Sequence, residues 1–97
     1  MIRHIVAWNF KEEVSDKASA AKRIKESLEA LRGEVEGLFS LEVIINEMES
    51  STVDITLYSE FASKEALENY QICPAHVMAA AYIKDVCCNR TCIDYVI

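Results

Sequence analysis

The segment from Ile2 to Phe10 limits the possible folds more than any other part of the chain. Alternation along it predicts a β-strand, with one face formed by Ile2, His4, Val6, Trp8 and Phe10. The opposite face carries Ile5 and Ala7, so both faces are apolar. A strand of this kind has to be covered on both sides, which requires packing partners on each face of its sheet.

A first helix is predicted after this strand. Ser15 is expected to cap it, with Asp16 in its first turn, where the helix dipole favours an anion. Its buried stripe consists of Ala21, Ile24, Leu28 and Leu31. Gly33 lies where the end of the helix is expected.

The second helical region contains the chain's single proline. Ser63 is expected to cap a helix whose inward residues are Ala66, Leu67 and Tyr70. Pro74 interrupts this helix, because proline lacks an N–H group and restricts the residue before it. A short helix from His76 to about Lys84 is predicted to follow.

Three further strands complete the predicted order. They are Leu38–Asn46, a strand over residues 53–58, and Val86–Val96. The inner face of the second strand is expected to carry Phe39, Leu41, Val43 and Ile45. The order β-α-β-β-α-β predicts an α+β, ferredoxin-like protomer spanning residues 1–97 as one domain, with an antiparallel sheet and helices on one face. The uncovered apolar face predicts a homodimer that packs sheet against sheet.

Composition excludes several classes of partner. The net charge is −6 and the ten basic residues are scattered, which argues against nucleic-acid binding. The longest uncharged run, Asn69 to Ile83, is shorter than the roughly 20 apolar residues of a membrane helix. No export signal is recognised, so the chain is predicted to be cytoplasmic, with its four cysteines reduced.

The candidate catalytic residues are His4, Tyr70 and His76. Imidazoles titrate near neutral pH, and a second helix lying over the first strand would bring both histidines and the phenol together. Such a set suits proton abstraction beside a carbonyl group, with the phenol binding the enolate oxygen. Val6 and Trp8 share the strand face of His4 and are the candidate substrate-binding residues. The alternative is that both histidines are structural groups in a half-buried core.

The motif Cys73-Pro74-Ala75-His76 also raises two other chemistries. Cys73 and His76 have a spacing compatible with zinc, but no further ligand lies near them in sequence. Cys73 could also be a redox thiol at a helix N-terminus, but no resolving cysteine is close. We therefore predict neither a metal nor a cofactor.

Four segments together resemble one known family. They are Met1–Phe10, Phe61–Gln71, the Pro74-Ala75-His76 turn and Arg90–Tyr95, and they look like the stress-responsive A/B barrel domain (Dabb) family. The resemblance implies a dimeric α/β barrel built from ferredoxin-like protomers. The chain differs from the usual family pattern in having Cys73 in place of histidine before the proline. It also has Ile44 where the family often has glycine.

The resemblance implies three functional hypotheses. Most bacterial members have no known activity, which favours a protein of undetermined activity that binds a hydrophobic small molecule in a cleft between sheet and helices. Members of the olivetolic acid cyclase type are polyketide cyclases that use neither metal nor cofactor, and their site residues match His4, Tyr70 and His76. This implies a cofactor-free cyclase or isomerase with His76 as its base. A purely structural assembly protein, with its cleft closed by Trp8, is the third hypothesis.

Overall fold

The computed structural model describes residues 1–97 and contains four strands and three helices. They are β1 (Ile2–Phe10), α1 (Lys17–Glu29), β2 (Leu38–Ile45), β3 (Ile55–Phe61), α2 (Lys64–Ile72), α3 (Pro74–Val86) and β4 (Cys87–Val96). The strands form one antiparallel sheet in the order β2-β3-β1-β4. This arrangement confirms the predicted ferredoxin-like fold.

Helix α1 is capped by Asp16 instead of Ser15. The Asp16 carboxylate accepts hydrogen bonds from the Ser19 backbone N–H at 3.0 Å and from the Ser19 hydroxyl at 2.7 Å. Asp16, one residue after Ser15, thus satisfies the free backbone N–H of Ser19 in the first turn. The helix therefore begins at the next residue, Lys17. The predicted stripe from Ala21 to Leu31 is buried.

A β-bulge in β2 changes the predicted position of Phe39. The pairing with β3 shifts between Leu38 and Ser40, so Phe39 is the additional residue. A bulge interrupts the alternation of side chains, and Phe39 joins Ser40 on the outer face of the sheet, with 61% of its surface exposed. The prediction that Phe39 lies beside Leu41 in the core is therefore wrong.

The break between α2 and α3 falls at Pro74, as predicted. The Ser63 hydroxyl caps α2 by accepting the Ala66 N–H at 3.1 Å. Cys73 is extended, with φ −67° and ψ 141°, and Pro74 starts α3, where its missing N–H costs nothing. Helix α3 continues to Val86 and is thus longer than predicted.

The two faces of the sheet have different surroundings. Strand residues on the inner face pack against the helices in a single hydrophobic cluster that includes Val6, Trp8, Leu57 and Phe61. The outer face has no cover within the protomer and carries Ile5, Ala7, Phe39, Ile44, Tyr58 and Ile93. None of the three helices combines the length and the hydropathy that a membrane-spanning segment requires.

Gly37 is expected to be the more sensitive of the chain's two glycines. Both have positive φ, +82° at Gly37 and +81° at Gly33, which costs a side-chain-bearing residue about 1–2 kcal/mol. An added Cβ at Gly37 would also lie 2.6 Å from Cβ of Ala66, whereas one at Gly33 would meet nothing. Gly37→Ala should therefore lower the free energy of unfolding by about 2–4 kcal/mol, and Gly33→Ala by about 1–2 kcal/mol. Equal losses in urea unfolding would contradict this packing.

Candidate functional site

A cavity of about 390 Å³ lies between the inner face of the sheet and the helices. It is lined by His4, Val6, Trp8, Leu28, Leu57, Tyr70, Gln71, His76, Ala80, Ile83, Lys84, Cys87, Cys88 and Arg90. Nine of these fourteen residues are hydrophobic, so the cavity offers an apolar surface with a few polar groups. Trp8 lines this space and does not close it.

His4 is held by a carboxylate on the neighbouring strand. Residue pairing of β1 with β4 places Asp94 directly opposite His4. The Nδ1–H of His4 donates to Oδ1 of Asp94, since a carboxylate can only accept. The pairing fixes the ring, which is 3% exposed, and leaves Nε2 as the nitrogen available to a molecule in the cavity.

Tyr70 lies between the two histidine rings. Its ring centroid is 6.4 Å from that of His4 and 4.4 Å from that of His76. The side chain is completely buried, yet its hydroxyl has no hydrogen-bond partner. Burial, with a smaller contribution from Cys73, raises the pKa of this phenol well above its ordinary value. Tyr70 therefore keeps its proton at neutral pH and can act only as a hydrogen-bond donor or neutral acceptor.

His76 is oriented by the backbone at the end of α2. Its Nδ1–H donates to the carbonyl oxygen of Gln71 at 3.0 Å, which leaves the lone pair on Nε2. Burial lowers the pKa of His76 below its ordinary value; the charges of His4 and Arg90 act in the same direction, and the bond to Gln71 opposes them. The neutral imidazole is thus favoured at neutral pH, which is the form needed by a general base.

One group of side chains has the composition of a metal site. Donor atoms of His4, Cys92 and Asp94 lie within 4.8 Å of one another. Cys92 Sγ is 3.8 Å from His4 Nδ1 and 3.7 Å from Asp94 Oδ1. Burial, followed by the charge of Asp94, raises the pKa of Cys92, which disfavours the thiolate that binds zinc. All four cysteines are free.

The structure brings His4, Val6, Trp8, Tyr70 and His76 to the same cavity, while their roles remain predictions. Sequence reasoning missed Asp94 as a partner of His4. It also missed Lys84 and Arg90 as lining residues. Alternation within β4 would have placed Asp94 on one face, but only the strand order reveals that His4 is its neighbour.

Comparisons with known proteins identify close structural relatives. A family model described as Stress responsive A/B Barrel Domain matches residues 2–97. A dimeric protein of unknown function with a ferredoxin-like fold from Bacteroides fragilis has a TM-score of 0.91 and 30% sequence identity, covering 99% of this chain and 95% of that protein. No match was found among curated proteins.

Two more distant structures share the fold. A dimeric ferredoxin-like protein of unknown function from Thermobifida fusca has a TM-score of 0.87 and 18% identity, covering 99% of this chain and 90% of that one. A hydroxynitrile lyase from Passiflora edulis has a TM-score of 0.80 and 18% identity, covering 99% and 92%. At these identities the likeness concerns the fold alone.

Proposed function

This chain belongs to the stress-responsive A/B barrel domain family, and we propose that it is a homodimeric protein that binds a small, largely apolar molecule carrying an oxygen acceptor. The binding site is the cavity between β1, α2 and α3. Its volume of about 390 Å³ lies within the usual range of small-molecule pockets. An assembly role alone is less well supported, because that hypothesis expects Trp8 to close the cleft.

The unpartnered hydroxyl of Tyr70 is the observation that carries this proposal. A buried polar group without a hydrogen bond costs about 1–3 kcal/mol, so such groups are rare in native proteins. Neighbouring side chains would have to move for an oxygen of a bound molecule to reach and satisfy this hydroxyl, because it is fully buried in the unliganded protein. The apolar walls, including Val6 and Trp8, would cover the rest of the ligand.

A second candidate function is cofactor-free proton transfer at a carbon beside a carbonyl group. It is favoured by the free Nε2 lone pair of His76 next to the Tyr70 phenol. Nε2 would remove the proton, the C–H electrons would form the enolate, and the Tyr70 O–H would donate to the developing oxyanion. His4, held by Asp94, would orient or polarise the substrate. A hydroxynitrile lyase from Passiflora edulis has the same fold, so the fold is compatible with an enzyme.

The homodimer is supported by the outer face of the sheet. Ile5 lies opposite both Ile93 and Tyr58, which gives this face an apolar centre. The relatives from Bacteroides fragilis and Thermobifida fusca are dimeric. A second copy packed on this face would cover the side chains that the helices leave exposed.

Replacement of Tyr70 by phenylalanine tests the binding site. Titration with 2-nonanone, a neutral ketone, can be followed by the fluorescence of Trp8, the only tryptophan. We expect Tyr70→Phe to weaken binding about five- to tenfold, because one hydrogen bond is lost. The unliganded variant should be more stable by about 1 kcal/mol or more, because the unpartnered hydroxyl is removed.

Tyr82→Phe provides the matched control. Tyr82 is half-buried on α3, packs beneath Arg23 and does not line the cavity. Removal of the Tyr82 hydroxyl should leave the affinity for 2-nonanone unchanged. The absence of saturable binding by the wild-type protein, or equal affinities of wild type and Tyr70→Phe, would contradict the proposal.

A further inference from the structure

The charges around the cavity are opposite in sign to those of the whole chain. The chain has 16 acidic and 10 basic residues. The cavity, however, is lined by Lys84 and Arg90 and by no aspartate or glutamate. Neither cation forms a salt bridge with any part of the protein. A net positive rim on a net negative protein indicates a preference for an anionic ligand.

The two cations reach the cavity from different elements. Lys84 lies in the last turn of α3, where a cation also interacts favourably with the helix dipole. That interaction explains Lys84 but not Arg90. Arg90 follows Asn89, which has φ +54°, at an irregularity in the pairing of β1 with β4. The exposed side chains of Lys84 and Arg90 therefore form the rim, while the apolar residues form the interior.

We propose that the ligand is an organic acid with a second oxygen: its apolar body and that oxygen, which accepts from Tyr70, lie inside the cavity, and its carboxylate is held at the rim by Lys84 and Arg90. This proposal rests on the proposed small-molecule function and adds the class of ligand. The guanidinium group of Arg90 matches the two oxygens of a carboxylate, and Lys84 adds a second positive charge. Burial is the main reason for the lowered pKa of His76, and the charges of His4 and Arg90 lower it further. Arg90 therefore lies close to His76.

A pair of nine-carbon ligands tests the class of ligand. 8-Oxononanoate carries a negative charge at neutral pH and 2-nonanone does not, while both have the same methyl ketone at the other end of a nine-carbon chain. We expect the wild-type protein to bind 8-oxononanoate about tenfold more tightly than 2-nonanone, as judged by Trp8 fluorescence, because charge-assisted hydrogen bonds form at the rim. The preference should shrink when the salt concentration rises from about 0.1 M to about 1 M.

The double variant Lys84→Met/Arg90→Met should lose the preference while still binding 2-nonanone. Lys64→Met is the control, because Lys64 is exposed, forms no salt bridge and does not line the cavity. Equal binding of both ligands by the wild-type protein, or an unchanged preference in the double variant, would overturn the organic-acid proposal and leave the small-molecule site intact. Binding of neither ligand by the wild-type protein would overturn both proposals.

Discussion

His76→Ala is expected to abolish most of any turnover of a linear poly-β-keto acid or thioester, with a loss of roughly 10²–10⁴-fold. The variant removes the imidazole ring, which the Gln71 carbonyl orients through Nδ1–H, and with it the Nε2 lone pair. The measurement is product formation by liquid chromatography at saturating substrate. Val77→Ala is a suitable control, because Val77 is the next residue on the same helix and is 52% exposed.

The pH dependence of this turnover follows from the same imidazole. Protonation of Nε2 removes the base, so turnover should fall as the pH is lowered through the pKa of His76. Because burial lowers that pKa, the midpoint of the fall should lie below about pH 6.5, the ordinary value for histidine. The raised pKa of Tyr70 keeps its proton in place at high pH. Full turnover in His76→Ala, or none in the wild-type protein, would contradict the catalytic hypothesis for this substrate class.

Ile93→Asp is expected to convert the homodimer into a monomer. Ile93 is 56% exposed in the protomer and lies opposite Ile5 on the outer face of the sheet, in the edge strand β4. An unpaired carboxylate buried in the interface would cost about 3–5 kcal/mol, which weakens association roughly 10²- to several 10³-fold. Light scattering coupled to size-exclusion chromatography should give about twice 11.0 kDa for the wild-type protein and 11.0 kDa for the variant.

Met78→Asp separates this effect from a general response to an added charge. Met78 is 75% exposed on α3, on the opposite side of the protomer from the outer face of the sheet. This variant should remain dimeric. A monomeric wild-type protein, or a dimeric Ile93→Asp variant, would show that the outer face is not the interface.

Regular alternation made much of the fold predictable. One face of β1 carries His4, Val6 and Trp8, and strict alternation placed all three correctly. The break at Pro74 was equally clear, because proline cannot donate the hydrogen bond that would continue α2. These features depend on neighbouring residues alone, which explains why local patterns were sufficient.

Irregular pairing limited the prediction elsewhere. The bulge at Phe39 adds one residue to β2, and no local pattern distinguishes it from a residue in regular alternation. The position of Arg90 depends on a similar irregularity next to Asn89 in β4. The partnership of Asp94 with His4 joins residues 90 positions apart and requires the strand order. The positions of Phe39, Arg90 and Asp94 therefore depend on long-range strand pairing.

Strand β1 contributes to two surfaces at once. Its even-numbered residues His4, Val6 and Trp8 face the cavity, while Ile5 and Ala7 face the opposite side. Deleting a single residue would exchange these two sets, because side chains alternate with a period of two. Both surfaces thus constrain the number of residues in β1. A substitution at an even position, in contrast, affects only the cavity, and one at an odd position affects only the outer face. With the proposed interface on the odd-numbered face, substitutions at even positions of β1 should change the chemistry of the cavity and leave association of the protomers intact, whereas a single-residue insertion or deletion should disrupt both.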